Sequence, residues 1–138
     1  MKRISEVMTK DTRIVRPDQT IQDAAKMMAD EDIGSLPVGD NDRLVGMITD
    51  RDIALRAVAR GLGVDTPIRD VMSSSIKYCY DDQDVSDVAI NMAEQGVRRL
   101  PVVNRDKRLV GIVALSNIAH RSDAKTSQSF VKSVAKPH

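Results

Sequence analysis

Residues 33–53 read IGSLPVGDNDRLVGMITDRDI, and residues 97–118 read VRRLPVVNRDKRLVGIVALSNI. The two stretches share Leu-Pro-Val and then Arg-Leu-Val-Gly, offset by 64 residues at the first motif and by 65 at the second. A pattern that returns in the same order at a nearly constant spacing indicates an internal repeat. We therefore interpret the chain as two copies of one structural unit.

The repeat extends outward from these motifs. Val7-Met8 recurs as Val71-Met72, and Asp18-Gln19 recurs as Asp82-Gln83. A single one-residue insertion accounts for the whole alignment, so chance is a poor explanation. The predicted division is a first repeat (1–61), a linker (62–70), a second repeat (71–123) and a C-terminal tail (124–138).

Each copy has the pattern of a strand, a helix, two strands and a second helix. Apolar residues at helical spacing follow the cap signals Thr20-x-x-Asp23 and Asp84-x-x-Asp87. Short apolar runs on either side of a polar turn then predict one hairpin per copy. The predicted strands are Ile14-Val15, Ser35–Val38 and Leu44–Ile48 in the first copy, and Ile76–Tyr80, Leu100–Val103 and Leu109–Val113 in the second.

The second helix of each copy is predicted over residues 50–60 and from Ser116. Thr66-Pro67 predicts a further short helix in the linker, since proline favours the first turn. One copy alone is small for a stable core. The predicted fold class is therefore α+β, with two pseudo-symmetric β-α-β-β-α repeats packed sheet to sheet.

Composition and charge narrow the functional classes. Apolar residues make up 41% and charged residues 30%, and no apolar run approaches the ~18 residues that a membrane span needs. The basic and acidic side chains, 21 and 20, nearly cancel, and aromatic residues amount to 2%. This argues against a nucleic-acid partner, which requires a basic field or stacking platforms. The start of the chain does not have the pattern of a signal peptide, so we expect a cytoplasmic protein.

The two quoted stretches resemble the CBS domain pair, named after cystathionine β-synthase, and the resemblance covers roughly residues 4–121. The chain looks most like small stand-alone bacterial CBS-pair proteins, including those named for hypoxic or stress responses. The resemblance implies a non-catalytic regulatory sensor that holds an adenine nucleotide or related ligand (AMP, ADP, ATP, NAD or S-adenosylmethionine) in a cleft between repeats. It also implies a homodimer, with a protein partner still to be identified. The alternative is a ligand-free interaction module that acts by dimerisation or as a scaffold.

Thr49-x-x-Asp52 lies where a strand ends and a helix begins, and it has two interpretations. Both side chains could cap the free N–H groups of the first helical turn. The resemblance implies instead that Asp52 accepts hydrogen bonds from ribose hydroxyls, with Thr49 and the helix N-terminus facing a phosphate. One pair of residues could serve both purposes.

The resemblance brings further residues to the site. Arg98 or Arg99 would meet the phosphate of the ligand that Asp52 holds, because a guanidinium suits phosphate well. The alternative is that both arginines form only a solvated strand end. Ala114 and Asn117 replace Thr49 and Asp52 in the second repeat, which predicts a weaker second site. The alternative is that Asn117 simply caps its own helix. The candidate ligand-binding residues are Ser35, Met47, Thr49, Arg51, Asp52, Ile76, Lys77, Arg98, Arg99 and Asn117.

No catalytic residue and no metal site is predicted. A nucleophile, a base and an orienting group do not converge in any motif, and no Gly-rich phosphate loop is present. Cys79, His120 and His138 are too few and too scattered for a zinc site in one chain. Cys79, the only cysteine, is interpreted as a small packing residue.

Overall fold

The computed structural model describes residues 2–10 and 13–121, and for residues 119–121 it describes the backbone alone. The predicted tail, 124–138, which includes His138, lies outside the described residues. The sequence leaves open whether Phe130-Val131 and Val134 form a docking turn there. The chain divides into two compact units. The first unit is Arg13–Ile76, and the second combines, among the described residues, 2–10 with 77–121.

Apart from a helical turn at Ile4–Val7 that the sequence does not predict, the helices and strands follow the predicted order, and the α+β class is confirmed. The helices are α1 (Ile4–Val7), α2 (Ile21–Glu31), α3 (Asp50–Asp52), α4 (Val85–Gln95) and α5 (Leu115–Arg121). The strands are β1 (Ser35–Asp40), β2 (Arg43–Thr49), β3 (Cys79–Tyr80), β4 (Arg99–Val103) and β5 (Leu109–Ala114). Both predicted hairpins are present as antiparallel pairs, β1 with β2 and β4 with β5.

The predicted first strand of each repeat is shorter than expected. Val15 makes a single parallel bridge to Val38, and Ile14 lies outside it. In the second repeat only Cys79 and Tyr80 pair with β4, so residues 76–78 do not belong to a strand. The reason is that only these positions lie alongside a partner strand whose backbone can complete the hydrogen bonds.

Helix α2 begins at the predicted capping box. Thr20 Oγ1 accepts a hydrogen bond from the Asp23 N–H at 3.1 Å, and Asp23 Oδ2 accepts one from the Thr20 N–H at 3.3 Å. Helix α4 begins differently, because Asp84 Oδ1 accepts from the Ser86 N–H at 3.0 Å. Both helices turn their apolar stripes into the core of their own unit.

The second helix of the first repeat changes its winding along its length. The α-helical turn α3 continues as a π-helix over Ile53–Ala57 and then as a 3₁₀ helix over Val58–Arg60. Gly61 ends it with a φ of 74°, a left-handed conformation that glycine adopts without strain. The predicted span of residues 50–60 is thus confirmed as helical. The short linker helix is a 3₁₀ turn, Ile68–Asp70, directly after Pro67.

Each compact unit consists mainly of one repeat and also contains the opening segment of the other repeat. Thr9 bridges Ile112 of β5, whereas the equivalent Ser73 bridges Met47 of β2. Glycine permits both approaches: a Cβ at position 111 would lie 2.8 Å from the Thr9 carbonyl oxygen, and one at Gly46 would lie 2.9 Å from that of Ser73. The segment that opens each repeat therefore completes the sheet of the other.

The two cores reflect the same exchange. In the first unit, Ile68 and Val71 are fully buried together with β1 and β2 residues such as Leu36. In the second unit, Ile4 and Val7 of α1 are fully buried. The boundaries of the compact units thus differ from those of the repeats. The division of the chain into repeats and the packing of the repeats sheet to sheet stay predictions. Within residues 2–10 and 13–121, no helix is long and apolar enough to cross a membrane.

Candidate functional site

Three of the predicted ligand-binding residues share one face of the β1–β2 hairpin. Ser35 pairs directly with Thr49, and Met47 lies two residues before Thr49 on the same strand. Since side chains alternate along a strand, all three point to the same side. The intervening Leu36 and Ile48 point to the other side and are fully buried. The hairpin therefore presents Ser35, Met47 and Thr49 on its non-core face, where each is half-buried.

Thr49 and Asp52 form a reciprocal capping box at the start of α3. Thr49 Oγ1 accepts a hydrogen bond from the Asp52 N–H at 3.0 Å, and Asp52 Oδ2 accepts one from the Thr49 N–H at 3.1 Å. The capping interpretation is therefore confirmed. The other carboxylate oxygen, Oδ1, lies 3.9 Å from Nε of Arg56, beyond hydrogen-bonding distance. Asp52 thus retains acceptor capacity, and its side chain is 17% exposed.

The first three N–H groups of this helical segment are already bonded. The Asp50 N–H donates to the Gly34 carbonyl at 2.9 Å, and the Arg51 N–H donates to Asp50 Oδ1 at 2.8 Å. The Asp52 N–H donates to Thr49, as described above. The expectation that the helix N-terminus faces a phosphate is therefore not supported, because its donors are used and two carboxylates lie beside them. A phosphate at this position would depend on cationic side chains.

Arg56 and Asp50 belong to this constellation and were not predicted from the sequence. Arg56 Nη1 donates to the carbonyls of Val71 and Met72 at 3.4 Å and 3.2 Å, which ties the helix to the segment of residues 71–73. The i, i+4 spacing of Asp52 and Arg56 is the sequence signal that could have indicated the pair. Asp50 gave no comparable signal, because its contact with Gly34 depends on the hairpin register.

The other candidates of the first unit are placed less favourably. The Met47 N–H donates to the Ser73 carbonyl and its own carbonyl accepts from the Ser73 N–H, both at 2.9 Å. Met47 can therefore offer a ligand its side chain, but its backbone N–H is occupied. Arg51 is exposed, and Ile76 is half-buried at the end of the unit. Lys77 is exposed and opens the second unit.

The remaining candidates lie in the second unit. Arg98 is exposed and precedes β4, while Arg99 is half-buried and pairs with Ala114 across the hairpin. Asn117 Nδ2 donates to Thr9 Oγ1 at 2.8 Å. This contact across 108 positions of sequence replaces the expected local cap by Asn117 and orients its amide. Asp52 and Asn117 thus hold equivalent helix positions but make different local bonds.

Cys79 is confirmed as a packing residue. It is 4% exposed within the core of the second unit, and burial, assisted by the charge of Asp81, raises its pKa to about 12. A thiol of this kind stays protonated and is a poor metal ligand. Over the described part of the chain, no group of three His, Cys, Asp or Glu side chains could hold a metal ion. The side chain of His120 lies outside the described residues.

Comparison with known proteins finds a match to the same family in both halves of the chain. The family profile of the CBS domain matches residues 4–58 and 68–123. Hypoxic response protein 1 of Mycobacterium tuberculosis is 36% identical over an alignment of 139 positions that covers 99% of this chain and 96% of the relative. A crystal structure of Hypoxic Response Protein I with two coordinated zinc ions is similar with a TM-score of 0.76 and 37% identity. It covers 87% of this chain and 98% of that one.

Two further solved structures contain adenosine-based ligands. The CBS domain pair of protein MJ0100, in complex with 5′-methylthioadenosine and S-adenosyl-L-methionine, has a TM-score of 0.74 and 29% identity, covering 91% of this chain and 98% of its own. CBSX2 in complex with AMP has a TM-score of 0.75 and 27% identity, covering 87% of this chain and 95% of its own. The ligands of both complexes share an adenosine moiety.

Proposed function

Because the chain belongs to the CBS domain family, we propose that it is a regulatory module that binds an adenosine-containing ligand without reacting it. The observation that carries the proposal is the Asp52 carboxylate. It is held in place by the capping box, keeps Oδ1 outside hydrogen-bonding distance of Arg56, and follows a hairpin face bearing Ser35, Met47 and Thr49. Two ribose hydroxyls are suitable donors for such a carboxylate.

The ligand complexes of MJ0100 and CBSX2 support the choice of adenosine as the recognised moiety, since a methylthioether, a sulfonium and a phosphate differ only beyond the ribose. Asp50 and Asp52 place two carboxylates at the start of the helical segment. They would repel a phosphate unless cations compensate. We assign that compensation to Arg98 or Arg99, as the family resemblance implies, with Arg51 as a further candidate.

The two repeats should bind ligand unequally. The family resemblance implies that the site built on Asp52 would combine this carboxylate for the ribose with Arg98 or Arg99 for a phosphate. The site built on Asn117 has an amide whose Nδ2 is already bonded to Thr9, and Gly34 takes the place of an arginine. Calorimetric titration with AMP should therefore give one strong site per chain, with any second site at least about tenfold weaker.

The same titration tests the proposed function itself. AMP recovered from the calorimeter should be chemically unchanged, as chromatography of the supernatant would detect. Two sites of equal affinity per chain would contradict the ranking of the repeats. The absence of binding both to AMP and to S-adenosylmethionine, or the conversion of either to products, would contradict the proposed non-catalytic binding.

A ligand-free interaction module is the second candidate, and exposed apolar residues favour it. Helices α2 and α4 contribute little to such a surface, because Ile90 is 47% exposed but most of their large apolar residues are buried within their own units. The second helix of the first repeat and the residues that follow it do supply it. Four large apolar side chains are 43–68% exposed there: Leu55, Val58, Leu62 and Val64.

We expect this surface to form a homodimer contact, because several large apolar side chains exposed on one short segment are typical of an interaction site. Light scattering at tens of micromolar should give twice the 15.2 kDa mass of one chain. Val58→Glu, at the most exposed of the four positions, should shift the mass toward the monomer. A monomer mass for the unsubstituted chain would contradict this prediction, as would a dimer that Val58→Glu leaves intact.

A further inference from the structure

The second unit carries a surface cluster that the proposed function does not use. We name it the tyrosine cluster, and its members lie on β3, directly before and after β3, and on the turn between β4 and β5. Both tyrosines of the chain belong to it. The tyrosine cluster consists of Tyr78, Tyr80, Asp82, Arg105 and Lys107.

The Lys107 ammonium is shared by the two phenols. Its Nζ donates a hydrogen bond to the Tyr78 hydroxyl oxygen at 3.1 Å and another to the Tyr80 hydroxyl oxygen. The two rings meet edge to face, with centroids 5.7 Å apart. A single cation thus contacts both phenol oxygens in an exposed setting, where a dissolved reagent can reach them.

Arg105 makes Tyr80 different from Tyr78. Its guanidinium lies 4.0 Å from the centroid of the Tyr80 ring and donates two hydrogen bonds to Asp82, at 2.7 Å and 2.8 Å. The carboxylate fixes the guanidinium and compensates its charge. One cation therefore lies over the face of the Tyr80 ring, while a second, Lys107, contacts its hydroxyl oxygen.

The turn holds Lys107 in position. Its φ is 66°, a left-handed conformation that is uncommon for lysine. Asn104 Oδ1 stabilises the turn by accepting hydrogen bonds from the Asp106 and Arg108 N–H groups, both at 3.0 Å. These bonds fix the backbone that carries Lys107 beside the two phenols.

These contacts favour the ionised form of Tyr80. The hydrogen bond from Lys107 is the main cause that lowers its pKa, followed by the hydrogen bond with Tyr78 and the charges of Lys107 and Arg105. A lower pKa raises the fraction of phenolate at a given pH. As the pKa of a phenol falls, each phenolate becomes a weaker nucleophile, but the phenolate population rises more steeply. At a pH below the pKa, the net reaction rate therefore increases.

We propose that Tyr80 is a modification site, a surface phenol whose oxygen reacts preferentially with acyl-, sulfonyl- or phosphoryl-type electrophiles. With an arylsulfonyl fluoride, the Tyr80 hydroxyl proton passes to a solvent base and the phenolate oxygen attacks sulfur. A new O–S bond forms, the S–F bond breaks and fluoride leaves. No oxidant, reductant or cofactor is required.

The test is labelling with an arylsulfonyl fluoride near pH 8, followed by fragment mass spectrometry to separate Tyr78 from Tyr80. Tyr80 should be labelled faster than Tyr78. Tyr78 is the more exposed of the two, so it would be labelled faster if accessibility alone set the rate. Lys107→Asn removes the ammonium while asparagine still accepts the left-handed backbone. It should slow the labelling of Tyr80 about threefold, the range expected for an exposed charge contact.

Two controls separate this effect from net charge and from folding. Lys107→Arg keeps the cation and should retain most of the rate, and Lys26→Gln removes a lysine of the other unit and should have no effect. If Lys107→Asn fails to fold, as its circular dichroism would show, the ratio of Tyr80 to Tyr78 labelling in the unsubstituted chain decides. Equal or preferential labelling of Tyr78 overturns the proposal. So does labelling of Tyr80 that Lys107→Asn leaves unchanged, or sulfonylation of Lys107 in place of Tyr80.

Discussion

Replacing Gly111 with alanine should lower the free energy of unfolding by about 1–3 kcal/mol, the usual cost of adding a methyl group where there is no room. The new Cβ would lie 2.8 Å from the Met8 sulfur and 2.8 Å from the Thr9 carbonyl oxygen. The methionine side chain can move. The Thr9 backbone cannot easily do so, because its N–H and carbonyl are both bonded to Ile112, at 2.8 Å and 3.0 Å.

Urea unfolding followed by circular dichroism would measure the loss. Gly46→Ala is the equivalent substitution in the first unit, where Ser73 takes the place of Thr9, and a similar cost is expected. Gly63→Ala is the matched control, because its Cβ would meet only a side-chain oxygen of Asp65 at 2.9 Å. Equal stability of the Gly111→Ala and Gly63→Ala variants would contradict the segment exchange between the repeats.

Replacing Asp52 with alanine should weaken AMP binding by about 10–100-fold, because the loss of a charge-assisted hydrogen bond costs about 1.5–3 kcal/mol. The same substitution removes the cap on α3, so binding and folding must be separated. Asp23→Ala provides that separation, since Asp23 forms the equivalent capping box with Thr20 on α2. It should lower stability by a comparable amount and leave the affinity for AMP unchanged.

Asp52→Asn refines the experiment. The amide oxygen can still accept the Thr49 N–H, so the cap is largely kept while the charge is lost. Affinity measured by calorimetry should fall with Asp52→Asn nearly as far as with Asp52→Ala. If Asp52→Ala binds AMP as tightly as the unsubstituted chain while its fold is intact, Asp52 acts as a cap alone.

The hairpins and capping boxes could be predicted because their signals are local. Leu-Pro-Val and Leu-Val-Gly on either side of a polar turn predict two paired strands wherever they occur. Thr20 and Asp23 bond across only three residues, so the sequence contains the whole interaction. The first strands were overestimated because an apolar run does not reveal how many of its residues find a partner.

The segment exchange could not be predicted, because the two repeats carry nearly the same signals. Met8-Thr9 and Met72-Ser73 are equivalent, as are Gly46 and Gly111, and sequence spacing does not say which segment packs on which glycine. The structure resolves this through contacts between distant positions.

The sequence likewise predicts only part of the hydrogen bonding at the candidate site. The sequence indicated Asp52 and Thr49 but not that Asp50 would occupy the Arg51 N–H, since that depends on side-chain direction. The tyrosine cluster escaped prediction for a related reason: Lys107 and Tyr80 are 27 positions apart and meet only through strand register.

The central claim is that the folded chain binds an adenosine-containing ligand. A thermal-shift panel with AMP, ADP, ATP, NAD and S-adenosylmethionine tests it most directly, because a ligand that binds only the folded state must raise the melting temperature. At one hundred times its dissociation constant, a ligand adds about 2.7 kcal/mol of stability, which corresponds to a shift of several degrees. We predict such a shift with at least one member of the panel and its loss in Asp52→Asn. A melting temperature that no member of the panel raises would contradict the claim and favour the ligand-free interaction module.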